Sequence, residues 1–371
     1  MKNLKNILVV LTIATLTENL FADIAAPPPE TKKLVYTPPA DVAKSSEFSV
    51  MTFNVENLFD TEHDKGTEDY TYLPLKKKKN SKEANQFCND MRPGFYQTQC
   101  NELDWSKDVL KAKLNSIEKV IKYVEKGQGP DNILFAEVEN LKVLKQLVQK
   151  NLKGLGYKTV VLLEGPDLRG IDPAFISKFP MVGQPQLHII PFEDKDPEAL
   201  KKAQRSRGIL EVTVKAPNNS NITFMAAHFP SQSNPTAWRE QAVRFASELI
   251  KKYQAEGRSV ILGGDLNIIA TEEAKYNYFK NILSEVADVS HLVGCKHCEG
   301  SHNYRGDWSF LDVIAFSKNF KNNNFELIPD SIQTVKSPFN VDEKGLPVRF
   351  DEKALTGVTD HLPVYARIKM K

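Results

Sequence analysis

The chain of 371 residues carries 49 Lys and Arg against 47 Asp and Glu, a formal charge of +2. With charge so nearly balanced, nothing global selects a nucleic-acid or an acidic partner. No apolar run is long enough to cross a bilayer, which excludes a helical membrane protein.

Met1 to Ala22 begins with Lys2 and Lys5, continues with an apolar run Ile7–Ala14 and ends on Leu20-Phe21-Ala22. A basic start, a short apolar core and a small residue at the cut read as a secretory signal, so a secreted or periplasmic protein is expected. Its removal takes away two Lys and one Glu and leaves +1. Pro27 to Pro29 and Pro38-Pro39 mark residues 23–46 as a stiff lead-in. One domain is expected over residues 47–371, since no repeat and no linker-like break follows.

Phe48–Asn54 reads as the first strand and leaves the sheet in a polar cluster, Asn54-Val55-Glu56-Asn57-Leu58-Phe59-Asp60. Asn54 or Glu56 could reach a metal there, or cap the turn. Residues 60–105 read as an irregular insertion holding Lys76, Lys77, Lys78 and Lys79 in a row. The lysines are either a solvated loop or phosphate contacts. Four cysteines in an exported chain favour two disulfides, Cys88 with Cys100 and Cys295 with Cys298. The second pair, near His297 and His302, could otherwise be half of a zinc site, but no second C-x-x-C exists.

Ser106–Gly127 has apolar residues at helical spacing, from Val109 and Leu110 to Val124, and Gly127-Gln128-Gly129-Pro130 stops it. The buried-strand run Ile133–Ala136 then leads into Glu137 and Glu139, followed by a helix over Leu141–Leu152. Lys158–Leu163 is a strand, and Arg169-Gly170-Ile171-Asp172 precedes another at Ala174–Ser177. Gly208–Val214 and Ile222–Ala227 are strands, the second ending in His228, with Ser231 just beyond. A long helix spans Pro235–Glu256.

Ser259–Leu262 is a short apolar strand. Gly263 and Gly264 let the backbone turn, and Asp265 and Asn267 follow at i, i+2, on one face of an extended chain. A carboxylate beside a carboxamide at a strand end can activate a water, although Gly-Asp-x-Asn is also good Asx-turn chemistry. A helix over Glu272–Leu283, a strand over Trp308–Phe316 carrying Asp312, and Thr359-Asp360-His361 before the last strand complete the reading.

Thr52 to Asn57, Glu137 to Asn140, His228 to Ser231, Gly264 to Asn267, Leu311-Asp312 and Thr359 to His361 occur in the order seen in the endonuclease/exonuclease/phosphatase superfamily. The chain resembles its exported bacterial nuclease-like branch. That resemblance implies a four-layer α/β/β/α sandwich, two packed and mainly antiparallel sheets flanked by helices. It implies metal ligation by Glu137 and Asn54 with Asp360 close by, the oxygen-rich set that suits Mg²⁺ or Mn²⁺. Asp265, steadied by Asn267, would activate water, and Asp312 would fix the tautomer of His361. Ser231 and Arg169 stand as further substrate contacts. A carboxylate supports a histidine like His228 in pancreatic-type deoxyribonuclease, so Asp172 is expected to pair with His228, unless it caps the turn before Pro173 or pairs with Arg169.

The expected activity is a metal-dependent phosphodiesterase, a monomeric nuclease of low sequence specificity whose partner is DNA or RNA rather than a protein. The same site would serve a phosphomonoesterase or a sphingomyelinase-like lipase, although no obvious exposed aromatic hairpin favours the latter. An inactive binding module would show broken site positions, and all are filled.

Overall fold

The computed structural model describes Tyr36, Asp41 and residues 43–371 apart from Lys296. The expected signal and most of the lead-in lie outside the described residues. In chain order the strands are β1 (Glu47–Leu58), β2 (Asn132–Val138), β3 (Thr159–Leu162), β4 (Asp172–Ser177), β5 (Gln186–His188), β6 (Ile209–Lys215) and β7 (Asn221–His228). They continue as β8 (Ser259–Asp265), β9 (Ala287–Val289), β10 (His302–Tyr304), β11 (Asp307–Ser309), β12 (Asp312–Ser317), β13 (Phe325–Thr334) and β14 (Val364–Met370). One six-stranded sheet runs β13-β14-β1-β2-β4-β3 and a second runs β5-β6-β7-β8-β12-β9. Both are mainly antiparallel, and each holds one parallel pair, β1 with β2 and β7 with β8.

Side-chain alternation builds the layers. Leu134 faces inward, in one core with Phe175, Phe224, Ile261 and Ile314 between the two sheets. Its neighbours Ile133 and Phe135 face outward into a core with Leu114, Ile117 and Ile121. A third core buries the far face of the second sheet through Val260 and Leu262 against Trp238, Ala242 and Ala246. The expected α/β/β/α sandwich is therefore present, and among the described residues no helix is long and apolar enough to cross a membrane.

The insertion differs from the irregular loop expected. It contains α1 (Leu75–Asn80), α2 (Lys82–Asp90) and α3 (Phe95–Glu102). Ser81 caps α2 by accepting from the Ala84 N–H. The Cys88–Cys100 disulfide, Cα atoms 5.4 Å apart, ties α2 to α3, and Cys295 is bonded to Cys298. Short polar helices give little hydrophobic periodicity, which is why the sequence pattern missed them.

Three outer helices fall within expected spans, α4 at Lys107–Tyr123, α5 at Leu141–Gln146 (continued as a π-helical turn over Leu147–Asn151) and α7 at Thr236–Ala255, whereas α6 at Pro197–Ala203 was not expected. Two expected elements are broken. The helix over Glu272–Leu283 is interrupted at Asn277, which is left-handed at φ 55°. The strand over Trp308–Phe316 divides at Phe310-Leu311 into β11, which pairs with β10, and β12, which pairs with β8; the Leu266 N–H donates to the Leu311 carbonyl at 2.7 Å and extends the β8–β12 register.

Gly264 fixes how closely β7 and β8 approach. Its φ is +151°, and a Cβ there would stand 1.9 Å from the Ala227 carbonyl oxygen. Gly257→Ala supplies the comparison, because that glycine has a positive φ of 74° and open space around it. Gly257→Ala is expected to cost about 1 kcal/mol from backbone strain alone, and Gly264→Ala at least about 4 kcal/mol or the loss of soluble protein. Chemical denaturation of the two variants checks this; equal midpoints would show that the β7–β8 backbone yields.

Candidate active site

The site lies where strands of both sheets end. In the second sheet His228 on β7 stands opposite Asp265 on β8, and Asp265 opposite Asp312 on β12. Residues directly opposite on neighbouring strands share a face, so register alone sets these three side by side. In the first sheet Asn54 is opposite Ala136. By strict alternation Glu137 would point with Ile133 and Phe135 into the helical layer. A register shift between β1 and β2, and a left-handed φ of 66° at Glu137 itself, re-aim it. The bulged residues Glu56 and Asn57 are also left-handed, and their N–H groups donate to Asn54 Oδ1 and Glu137 Oε2, each at 2.9 Å.

Asp265 is 2 % exposed. Its Oδ1 accepts from the Asn267 backbone N–H at 2.8 Å and its Oδ2 from Asn54 Nδ2 at 3.0 Å. His228 Nε2 is 3.6 Å from Oδ2, and His361 Nε2 is 3.9 Å from it. Burial pushes the Asp265 carboxyl up to about 7, with His361 opposing the rise. Asn267 steadies Asp265 through its backbone; its side chain donates instead to the Phe229 carbonyl at 3.1 Å.

Asp312 Oδ2 is 2.7 Å from His361 Nδ1, the pairing expected. Burial works against a charged His361, but Asp312, Asp360 and Asp265 outweigh it and hold the imidazole well above its usual pKa. His228 is the reverse case, driven well below the usual value by burial and by Arg207. For Glu137, burial raises the carboxyl while His228, Arg169 and Arg207 pull it down to about 2. Because His228 is neutral, the two guanidinium groups are the part of that pull that persists at neutral pH.

Asp360 faces Arg349 Nη1 at 3.3 Å, with His302 and His361 each 3.8 Å away. Arg349 also holds Glu56 Oε1 at 2.6 Å. Arg169 donates to Asn57 Oδ1 at 2.7 Å and so braces the bulge beneath Glu137. Ser231 lies in the loop after β7, its Oγ 2.9 Å from Ser233 Oγ. That loop is held by buried Arg239, which donates to the carbonyls of Pro230, Ser231 and Asn234 and pairs with Glu272.

Two expectations need correction. Asp172 and His228 are not hydrogen-bonded. Asp172 Oδ2 accepts from the Gly165 N–H at 3.1 Å, and Asp172 Oδ1 and His228 Nδ1 are both buried without a partner. Asp172 is the first residue of β4 and is turned into its own loop, where burial lifts its carboxyl to about 7. The four lysines are not one basic strip either. Lys78 is buried in α1 and donates to the carbonyls of Thr71 (3.1 Å) and Cys100 (2.7 Å), holding the insertion together. Lys77, exposed like Lys76 and Lys79, is bonded to Glu62 and to the Thr61 carbonyl.

Sequence reasoning missed Arg207, Arg349 and the Arg239–Glu272 pair, because single charges outside strand ends carry no local signal. In sequence His302 stands out only for its nearness to the cysteines; a backbone bridge from His302 to His361 places it at the site instead.

A family model described as Endonuclease/Exonuclease/phosphatase family matches residues 89–370. Among solved structures, the chain is similar to an endonuclease/exonuclease/phosphatase family protein from Bacteroides thetaiotaomicron. That match has 14% identity and a TM-score of 0.54, over 88% of this chain and 98% of the other. It is similar to truncated Caenorhabditis elegans TDP2 at 13% identity and TM-score 0.52, over 88% and 98%. A mannosyl-6-phosphatase of B. thetaiotaomicron matches at 15% identity and TM-score 0.53, over 86% and 99%. At these identities the likeness is one of fold. No curated protein matches the chain significantly in sequence.

The raised pKa of His361 gives the Asp312–His361 pair a pH signature. A folded pKa above the unfolded value of about 6.5 means stabilisation that is full below that value and lost as pH rises through the folded one. Asp312→Asn should therefore destabilise by about 3 kcal/mol near pH 6, and by progressively less in alkaline buffer. Urea midpoints across pH check this; a cost that grows with pH would contradict the pairing.

Proposed function

The chain belongs to the Endonuclease/Exonuclease/phosphatase family, and we propose that it is an exported, divalent-metal-dependent phosphodiesterase, a nuclease of low sequence specificity on DNA or RNA. The observation that carries this reading is Asp265 Oδ2, met at once by Asn54 Nδ2 and by the facing Nε2 atoms of His228 and His361. Export is supported by the paired cysteines and by the basic-then-apolar residues 1–22.

A hard cation such as Mg²⁺ or Mn²⁺ suits the site. Buried Glu56 Oε2 has no partner, and burial together with the Asp312 and Glu137 carboxylates pushes Asp265 up to about 7 against the pull of His361, so the cluster carries negative charge that a cation would relieve. Glu137 and Asn54, with Asp360, would hold it, and when bound it supplies Lewis-acid polarisation of the phosphate. The chain's own residues do the rest. Asp265, its carboxylate oriented by Asn54 and the Asn267 N–H, takes the proton of the attacking water, and its pKa near neutrality matches that task. His361, charged and held by Asp312, stabilises negative charge on the phosphoryl oxygens. Neutral His228 is a hydrogen-bonding contact for the phosphate, and Ser231, Arg169, Lys76 and Lys79 are outer contacts.

A second reading rests on one feature. Phe95 and Tyr96 at the start of α3 are 74 % and 73 % exposed and pack edge to face, an exposed aromatic pair on the insertion. Such a pair also suits insertion into a lipid surface, as a sphingomyelinase-like enzyme would require.

The test is plasmid nicking by the purified protein, with and without chelator, beside a phosphomonoester and sphingomyelin vesicles. Nicking that needs Mg²⁺ or Mn²⁺ is expected. Asp265→Asn should lose about 10³-fold in turnover without a change in fold, while Glu137→Gln should shift the metal midpoint upward. Release of phosphate from the monoester without nicking would overturn the nuclease reading, and an Asp265→Asn variant within about tenfold of wild type would remove Asp265 as the base.

In a parallel assay, changing Phe95 and Tyr96 together to Ser should leave vesicle binding unchanged, at background. A marked loss of vesicle binding and of sphingomyelin turnover would favour the lipase instead.

A further inference from the structure

We propose that His302, Asp360 and His361 form a transition-metal site, overlapping the hydrolytic centre, through which Zn²⁺ inhibits the enzyme. One ligand atom from each of the three lies within 4.8 Å of the others. His302 Nε2 stands 3.8 Å from Asp360 Oδ2, and His361 Nε2 stands 3.8 Å from Asp360 Oδ1. Two donors each about 2.1 Å from a tetrahedral zinc are about 3.4 Å apart, so side-chain rotations that draw the ligand atoms together by up to about 1.4 Å close the site.

The backbone builds this arrangement. His302 and His361 form a β-bridge, with their rings 4.9 Å apart. Neighbouring Ser301 accepts from the Leu362 N–H at 2.6 Å through its carbonyl and from the Asp312 N–H at 2.8 Å through its hydroxyl, fixing both segments. Asp312 Oδ2 binds His361 Nδ1 and leaves Nε2 as the ligating atom, the carboxylate–histidine–metal arrangement seen around bound zinc. The incoming ion displaces the proton on Nε2.

Two imidazoles and one carboxylate favour Zn²⁺ over Mg²⁺, whereas the Glu137 and Asn54 side of the centre is all oxygen. Arg349 Nη1 competes at 3.3 Å for Asp360 Oδ2. That side chain is 66% exposed and has room to withdraw into solvent. Zinc held here occupies His361 Nε2, which otherwise faces Asp265 Oδ2, and takes Asp360 from the Mg²⁺ side. The inhibition rests on the hydrolase reading; the binding does not.

The experiment titrates Zn²⁺ alone into Mg²⁺-saturated protein by calorimetry, for wild type, His302→Gln and His63→Gln as a control histidine. One equivalent is expected in wild type and in the control, with affinity about tenfold or more weaker in His302→Gln. The zinc midpoint for inhibition of nicking, each variant normalised to its own Mg²⁺-supported rate, should shift by the same factor. Equal zinc affinity in wild type and His302→Gln would overturn the site. If no nicking is found with any ion, the nuclease reading fails while calorimetry still decides the binding. If His302→Gln does not fold, Co²⁺ broadening of the His302 ring resonances in wild type decides; sharp resonances at one equivalent overturn the proposal.

Discussion

Asp265 keeps its carboxylate almost out of contact with water, and compensating that buried charge organises the centre of the molecule. An isolated buried carboxylate is too costly to stay ionised. One oxygen is therefore given to the Asn267 N–H, and the other is shared between Asn54 and the facing imidazoles. Asn54 belongs to the other sheet, so the two sheets must close tightly at this end. Gly263 allows it, since a Cβ there would already press on Leu134 at 3.3 Å. Asp265 is thus where the packing of the sandwich and the chemistry of its rim become one problem.

Much of this was legible in the sequence because strand ends are local. An apolar run followed by Glu137, His228 or Asp265 announces both the strand and the polar group at its edge. The order of six such junctions carried the fold, and the Asp312–His361 pair came with it. What was illegible depends on backbone departures without a residue signature. Glu137 reaches the site only through a left-handed conformation that a glutamate rarely adopts, and the bulge that forces it involves Glu56 and Asn57, equally unmarked. Asp172 shows the opposite failure: correctly placed at a strand start, it accepts from the Gly165 N–H of its own loop and makes no hydrogen bond to His228.

The lysine run shows that composition and position are separate facts. Four identical side chains in sequence suggested one surface, but a helix turns about 100° per residue and presents them in four directions. Lys78 is directed into the insertion and spends its charge on two carbonyls, while Lys77 is taken by Glu62. Read by composition, the insertion is a basic loop. Read by contacts, it is a small helical unit with a lysine at its centre and a disulfide across it.

The neighbours β1 and β14 are first and last among the strands, and they pair from Glu47 opposite Lys369 to Thr52 opposite Val364. His361 and Asp360 come just before β14, and Asn54 lies near the far end of β1. A polypeptide that emerges from the ribosome amino end first therefore has half of its centre long before the other half is made. Until β14 pairs with β1, no partial fold brings Asn54 and His361 to the same carboxylate. Synthesis order thus postpones assembly of the centre until the last strand has been made and paired.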